Sequence, residues 1–397
     1  MDALTTPSNW QRVRLGDIAE IIGGGTPSTQ ITSFWNGSIN WFTPAEIGIT
    51  KYVYKSQRTI TPLGLKKSST KLLPIGTILL TSRASIGDCA ILKVAATTNQ
   101  GFQSLIPLEK INNEFLYYLI LTLKNKLLKL ASGSTFLEVS PNKIKNLLIP
   151  LPPLHEQIAI ADILSALDRY LCALRALILK KESVKKALSF ELLSQRKRLK
   201  GFNQAWQRVK VKDFGIIITG STPLTQISEY WNGTISWITP TDINDNKDIF
   251  NSEQKITQKG LDTIRMIPKN SVLVTCIASI GKNAILRVNG ACNQQINAII
   301  PNKDFNADFI YYLMENNKQY LLGKAGVTAT YIISKQVFEE IDFFVPKDLN
   351  EQIAIADILS ALDKEIASLK NKKRQFENIK KALNHDLMSA KIRVLKK

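Results

Sequence analysis

Asp242, Glu253 and Lys255 imitate a metal-dependent nuclease triad of acid, acid and lysine. Gly23-Gly24-Gly25 has the composition of a loop that cradles a phosphate through backbone N–H groups. His155 is one of only two histidines, and the Trp35/Trp41 and Trp231/Trp237 pairs, with Tyr117 and Tyr118, have faces on which bases stack. Each of these readings has a plainer competitor. Aligning the chain on itself places Glu46, Ser56 and Arg58 opposite the triad, so the second acid is missing. Thr219-Gly220-Ser221 stands opposite the glycine run, which makes a tight turn the better account. His155 has no second histidine near it, and the aromatic pairs fit a core. The sequence contains no GxGxxG, no GxxxxGK[ST] and no NPPY-like adenine-methyltransferase motif, and its four cysteines lack zinc-finger spacing. The residues expected to do chemistry are therefore absent, and a binding function is the better expectation.

The self-alignment covers the whole chain. EQIAIADILSALD occurs at Glu156–Asp168 and again at Glu351–Asp363, WQRVRLGD at Trp10 recurs as WQRVKVKD at Trp206, and FLYYL at Phe115 returns as FIYYL at Phe309. The offset stays between 193 and 196 residues, so the chain is two units of roughly 195 residues, each long enough for its own core. Short apolar runs punctuated by Gly and Pro (AEII, INWF, GTILLTS, CAILKV, SLIPL) predict strands, with turns at Gly23–Pro27 and Trp35–Gly37. Helices are predicted around Glu114–Leu130 and Pro141–Asn146. LIPLPPL, and FFVPKDL in the second unit, are expected to stop regular structure as stiff joints.

Beyond each joint the period changes. Ile160, Leu164, Leu167, Leu171, Leu174 and Ile178 step by four and three, as do Ile355, Leu359, Leu362, Ile366 and Leu369. Two helices of about 45 residues, roughly 65 Å each, are expected to pack antiparallel on these seams with the globular parts at opposite ends. The net charge is +19, and residues 169–200 and 364–397 each carry +8 of it. Such matched basic tails favour a polyanionic partner. No apolar run approaches a membrane span, the N-terminus lacks a signal-peptide core, and a reducing cytoplasm is the expected compartment.

Two globular parts alternating with two helices that open on PLPPLHEQ, or its echo PKDLNEQ, resemble the specificity (S) subunit of type I restriction-modification systems. The similarity spans nearly the whole chain. It implies an α+β fold: two globular α/β target recognition domains separated by two long antiparallel coiled-coil helices in a pseudo-twofold internal repeat. The expected segments are recognition domains at 1–152 and 201–347 and spacer helices at 153–200 and 348–397. The resemblance implies a non-catalytic subunit that reads a bipartite double-stranded DNA target. It further implies two methylation subunits and motor-nuclease subunits as partners, with S-adenosylmethionine, ATP and Mg held by those partners and no cofactor in this chain. Half-sites on one face of a duplex repeat every helical turn, about 34–36 Å, and a rod of roughly 65 Å accommodates one or two turns between their centres. A coiled-coil scaffold that reads no DNA is the alternative.

Specificity is expected where the frameworks agree and the side chains differ. TSRASIGD aligns with TCIASIGK and GLKKSST with GLDTIRM, so Arg83 faces Ile277, Lys66 faces Asp262 and Ser69 faces Arg265. Arg83 and Arg265 are candidates for guanine contact. Lys66, Lys67, Lys71, Lys269 and Lys282 are candidates for phosphate. Ser69, Ser82, Ser134, Thr135, Cys276 and Thr328 complete the DNA-facing set, and Leu154, Glu156, Gln157, Glu351 and Gln352 are the expected partner dock.

Overall fold

The computed structural model describes residues 7–133, 137–243, 246–327 and 331–394. The chain forms two compact units, 1–175 with 371–397 and 176–370. Each unit therefore combines one globular part, the first half of the helix that follows it and the last part of the other long helix.

In the first unit a five-stranded sheet runs in the order Ala19–Gly23, Gln103–Pro107, Ile78–Leu80, Cys89–Leu92, Tyr52–Val53. All its pairings are antiparallel except the last. A three-stranded sheet sets Trp35–Phe42 between Arg58–Ile60 and Ala96–Thr98. The second unit repeats this order with Gly215–Thr219, Ile296–Pro301, Ser271–Thr275, Asn283–Leu286 and Asp248–Ile249, beside Lys255–Ile256, Trp231–Ile238 and Gly290–Cys292. The central strands are apolar and buried throughout, as Cys89–Leu92 shows, because a helix covers one face and the small sheet the other.

The covering helices are Asn113–Leu130 and Ala307–Asn316, and Asn112 and Asn306 start them by accepting the backbone N–H of Phe115 and Phe309 at 2.8 and 2.9 Å. The predicted helix at 114–130 and the short one at 141–145 are both present. Among the aromatic pairs, Trp35 and Trp41 meet edge to face at 5.0 Å, Trp231 and Trp237 at 5.1 Å, and all but the half-buried Trp231 are buried. They are core, as the plainer reading had it.

Two local expectations are corrected. Trp35-Asn36-Gly37 is no turn but a bulge at the start of the strand Trp35–Phe42, where the register shifts and Asn36 takes φ 60°. The first joint is a strand as well: Leu148–Leu151 pairs antiparallel with Gln11–Arg14, and Asp342–Pro346 with Trp206–Lys210. Proline is tolerated because these are two-stranded edge pairs. Entry and exit of each globular part are thereby hydrogen-bonded to each other.

The long helices are Leu154–Leu193 and Leu349–Met388, 40 residues each. They end seven and nine residues before the basic segments do, and Gln195 and Ala390 just beyond adopt φ 59° and 57°, the left-handed stop of a helix C-terminus. In the first unit the pairing is antiparallel: Asp168 meets Lys380, Tyr170 packs on Phe376 at 4.7 Å, and Arg175 Nη2 lies 2.9 Å from Glu377. In the second unit Lys181 meets Glu365 at 2.8 Å and Lys185 meets Asp363 at 2.5 Å. The seam residues Ile160, Leu164, Leu171, Leu174, Ile355, Leu359 and Ile366 are buried, and Leu167, Leu362 and Leu369 are half-buried. Ile160 and Leu164 belong to the first domain's core with Phe115 and Leu387, and Ile355 and Leu359 to the second's with Phe309 and Leu192. The head of each seam is thus domain core as well as helix contact. Among the described residues no helix is long and apolar enough to cross a membrane.

Candidate nucleic-acid interface

A row of loops runs along one edge of each sheet system. In the first unit Gly24 lies against Thr98 and Asn99, Thr26 donates to Gln100 Oε1, Ser82 N donates to Gly101 O at 2.8 Å, and Val139 N donates to Ser82 O at 3.1 Å. In the second, Gly220 lies against Cys292 and Asn293, Thr222 Oγ1 donates to Gln294 Oε1 at 2.6 Å, Cys276 N to Gln295 O at 2.8 Å and Ile333 N to Cys276 O at 2.8 Å. The same contacts thus join the same loops in the same order.

Two features hold this edge in shape. A Cβ on Gly24 would sit 1.9 Å from Asn99 O, and one on Gly220 2.2 Å from Asn293 O. Close backbone approach, not a tight turn or a phosphate cradle, explains these glycines. Ala84 and Ala278, exposed at the tips of the ASIG loops, take φ 56° and 62°. Left-handed alanine costs of order 1 kcal/mol and persists only where neighbouring structure imposes it.

The predicted DNA-facing residues divide as follows. Lys66, Lys67, Ser69, Lys71, Arg265, Lys269 and Lys282 are exposed, and none of the cations among them has an ion-pair partner among the described residues. Ser69 is on the loop edge beside Gly25. Lys282 instead lines a groove with Asn283, Tyr311 and Lys318, beside the covering helix. Arg83 is half-exposed and ion-paired with Glu138 at 2.9 Å. Ser134, Thr135 and Thr328 lie outside the described residues. Ser82 and Cys276 are corrected: both are buried, Ser82 Oγ donates to Gly101 O, and burial pushes the Cys276 thiol up to about 12. They shape the edge from below and present nothing to a ligand.

Sequence reasoning missed Gln100 and Gln294. The repeated NQ dipeptide was a visible signal, but only the structure puts each glutamine on the exposed edge against a threonine hydroxyl. Glu138 was missed as well, since its link to Arg83 spans 55 positions. The nuclease-like triad dissolves: Asp242 accepts the N–H of Thr239 at 2.8 Å and of Glu253 at 2.9 Å, as Glu46 accepts those of Thr43 and Gln57, both at 2.7 Å, so Gln57 and Thr59, not Ser56 and Arg58, stand opposite Glu253 and Lys255. The two acids bracket a loop, and the described residues contain no group of His, Cys, Asp and Glu that could hold a metal.

The expected dock is also corrected. Glu156, Gln157, Glu351 and Gln352 are all buried. Glu156 accepts from Asn9 at 2.6 Å, the Trp10 indole at 3.0 Å and Arg393 at 2.7 Å; Glu351 takes both arms of Arg198, at 3.0 and 2.9 Å, and the Trp206 indole at 3.3 Å. Burial resists ionisation of Glu156, but these donors outweigh it and hold its carboxyl below the ordinary range. Gln157 and Gln352 each accept a helix-capping N–H (Asn112 and Asn306) and donate to the carbonyl of Pro152 or Pro346. These four side chains tie helix to domain inside each unit. Of the dock candidates Leu154 alone is exposed, beside Ile158 one turn on.

A second duplicated network lies deeper. Lys51 donates to Glu114 at 2.7 Å and Ser165 at 2.8 Å, and Tyr118 donates to Asp168, which Lys380 also reaches. Burial raises the Glu114 carboxyl, yet donors from Lys51, Tyr52 and Ser165 prevail and lower it to about 2. In the second unit Lys247, Asp308, Ser360, Tyr312, Asp363 and Lys185 stand in the same relation. Part of each basic tail is therefore internally paired, through Lys185, Arg198, Lys380 and Arg393, while Lys180, Lys186, Lys364, Lys372 and Arg374 stay exposed.

The comparisons agree with this duplicated design. The type I restriction modification DNA specificity domain matches residues 7–182 and again 203–378. The type I restriction enzyme MjaIX specificity subunit of Methanocaldococcus jannaschii is 43% identical over 166 residues, which is 41% of this chain and 38% of that protein. The chain thus matches about two fifths of that relative's length. The MjaVIII specificity subunit of the same organism is 26% identical over 427 residues, covering 99% of this chain and 95% of the relative. The crystal structure of a type I restriction-modification S subunit from M. genitalium shares the fold, with a TM-score of 0.61 at 15% identity over 98% of this chain and 97% of that one. Repeat architecture and a match covering most of both halves lead to one conclusion: the chain belongs to the type I restriction modification DNA specificity domain family, and carries that domain twice.

Proposed function

We propose that the chain is the non-catalytic DNA-specificity subunit of a type I restriction-modification complex. Each globular domain reads one half of a bipartite duplex target, and the helices carry methylation and motor-nuclease subunits that supply S-adenosylmethionine, ATP and Mg chemistry. One observation carries this reading: two loop edges have the same backbone contacts and the same Thr–Gln pair, yet opposed side chains at Arg83/Ile277, Lys66/Asp262 and Ser69/Arg265. A common frame with divergent tips is what two readers of unlike sequences require, since direct readout depends on side chains at base edges. The exposed lysines provide the phosphate contacts that hold register. Because the sequence lacks GxGxxG, GxxxxGK[ST] and NPPY-like motifs and the described residues hold no metal-binding cluster, its part in methylation is placement, holding the duplex while a partner flips the adenine.

Duplex affinity measured against salt tests it. Phosphate contacts predict a log–log slope of about −0.9 per contact, and Gln100→Ala or Gln294→Ala should lower affinity while leaving folding intact. A chain that bound partner subunits but no duplex at low salt would instead be a scaffold. Turnover of DNA by the pure chain with Mg and S-adenosylmethionine would also overturn the proposal.

A further inference from the structure

Arg83 and Glu138 face each other across an isolated antiparallel bridge, with Nη2 2.9 Å from Oε2. At the same place in the second unit the bridge joins Ile277 and Ile332. The backbone around them is unchanged: Val139 and Ile333 donate to Ser82 and Cys276, and the left-handed Ala84 and Ala278 follow directly. So the frame is kept while both partners change together, from a complementary ion pair to an apolar pair. Independent drift at either position would have left a charge facing an isoleucine. Nor does folding demand either pair, because the sites are open: side-chain exposure is 42% for Arg83 and 34% for Glu138, and Ile332 is 40% exposed.

We infer that 83 with 138, and 277 with 332, form one paired reading element that selects a G·C pair in the first half-site and an A·T pair at the equivalent step of the second. This deepens, and rests on, the DNA-reading function proposed above. A guanidinium has five N–H donors in a fixed fork; the one aimed at Glu138 fixes its plane and leaves an edge free for O6 and N7 of guanine. The second Glu138 oxygen remains an acceptor for the cytosine N4 amine. Glu138 is thus both a positioning residue for Arg83 and a reader itself. Ile277 and Ile332 offer no hydrogen bond. They match the thymine methyl, and against G·C they would leave polar edge atoms without partners.

The test is selection of duplexes from a randomised pool by the full chain assembled with its methylation partner, followed by sequencing. R83I/E138I should convert one G·C position to A·T in one half of the consensus by roughly tenfold or more, with the other half unchanged; I277R/I332E should do the reverse in the other half. R83I or E138I alone should relax the preference without creating a new one. A consensus unchanged in the double variants, or changed in both halves, overturns the inference. A wild-type assembly that selects no bipartite consensus would instead sink the function on which it rests. Should R83I/E138I fail to fold, the reciprocal I277R/I332E carries the same test, and thermal melting establishes which variants are folded.

Discussion

The helix junctions and the loop edges are equally duplicated, but they vary in opposite ways. At the junctions chemistry is conserved between units: Trp10, Glu156 and Arg393 correspond to Trp206, Glu351 and Arg198, and Lys51, Tyr118 and Asp168 to Lys247, Tyr312 and Asp363. At the edges the backbone is conserved and the chemistry differs. Charged groups buried at the junctions have no freedom, because losing one partner strands the other in low dielectric. Tips that face water vary at little cost to folding. Identity between repeats therefore marks internal ties, and divergence marks the surface that meets something outside the chain.

If this contrast is right, substitutions at the junctions should damage folding and those at the edges should damage recognition alone. Glu351→Ala has the largest effect: it strands Arg198 and the Trp206 indole and should cost about 3–5 kcal/mol in denaturant melts. Leu359→Ala, in the fully buried head of the second seam, follows at about 3 kcal/mol. Glu114→Gln should cost about 2 kcal/mol at neutral pH, with a distinct pH signature. Its folded pKa, about 2, lies below the ordinary 4.5, so the stabilisation is complete above that ordinary value and fades as pH falls toward about 2. The gap between wild-type and variant melts should therefore close in acid; a gap constant from pH 7 to pH 3 would mean the carboxylate charge plays no part. At the edge, K66E/K71E should leave stability within about 0.5 kcal/mol while the salt slope of duplex binding flattens by about two. An edge variant that unfolded the protein, or a junction variant that altered only the recognised sequence, would break the comparison.

Much of this was legible in the sequence, for local reasons. The helix at 113–130 shows its N-cap and apolar period, and the seams show their four-three spacing. What escaped depends on partners distant along the chain. LIPLPPL reads as a joint until its strand partner at 11–14 is known, 134 positions away at Arg14 and Leu148 and 140 at Gln11 and Leu151. WNG reads as a turn, but it opens the bulged strand Trp35–Phe42 that ends in INWF. Glu156 and Gln157 look like a dock because helix starts are usually exposed; here the N-terminal segment and the opposite helix tail cover them. Ser82 and Cys276 flank the variable Arg83 and Ile277, but both are buried beneath the loops whose carbonyls, Gly101 O and Gln295 O, accept their N–H groups.

Exchange of residues 1–152 for the recognition domain of another family member tests the central claim most directly. The segment carries both halves of the pairing between Gln11–Arg14 and Leu148–Leu151, so the incoming domain closes on itself; it must retain a tryptophan for Glu156. Mapping of methylated adenines in DNA exposed to the exchanged chain and its partners should show one half of the bipartite site replaced and the other half and its modified base unchanged. A site altered in both halves, or in neither, would contradict the account.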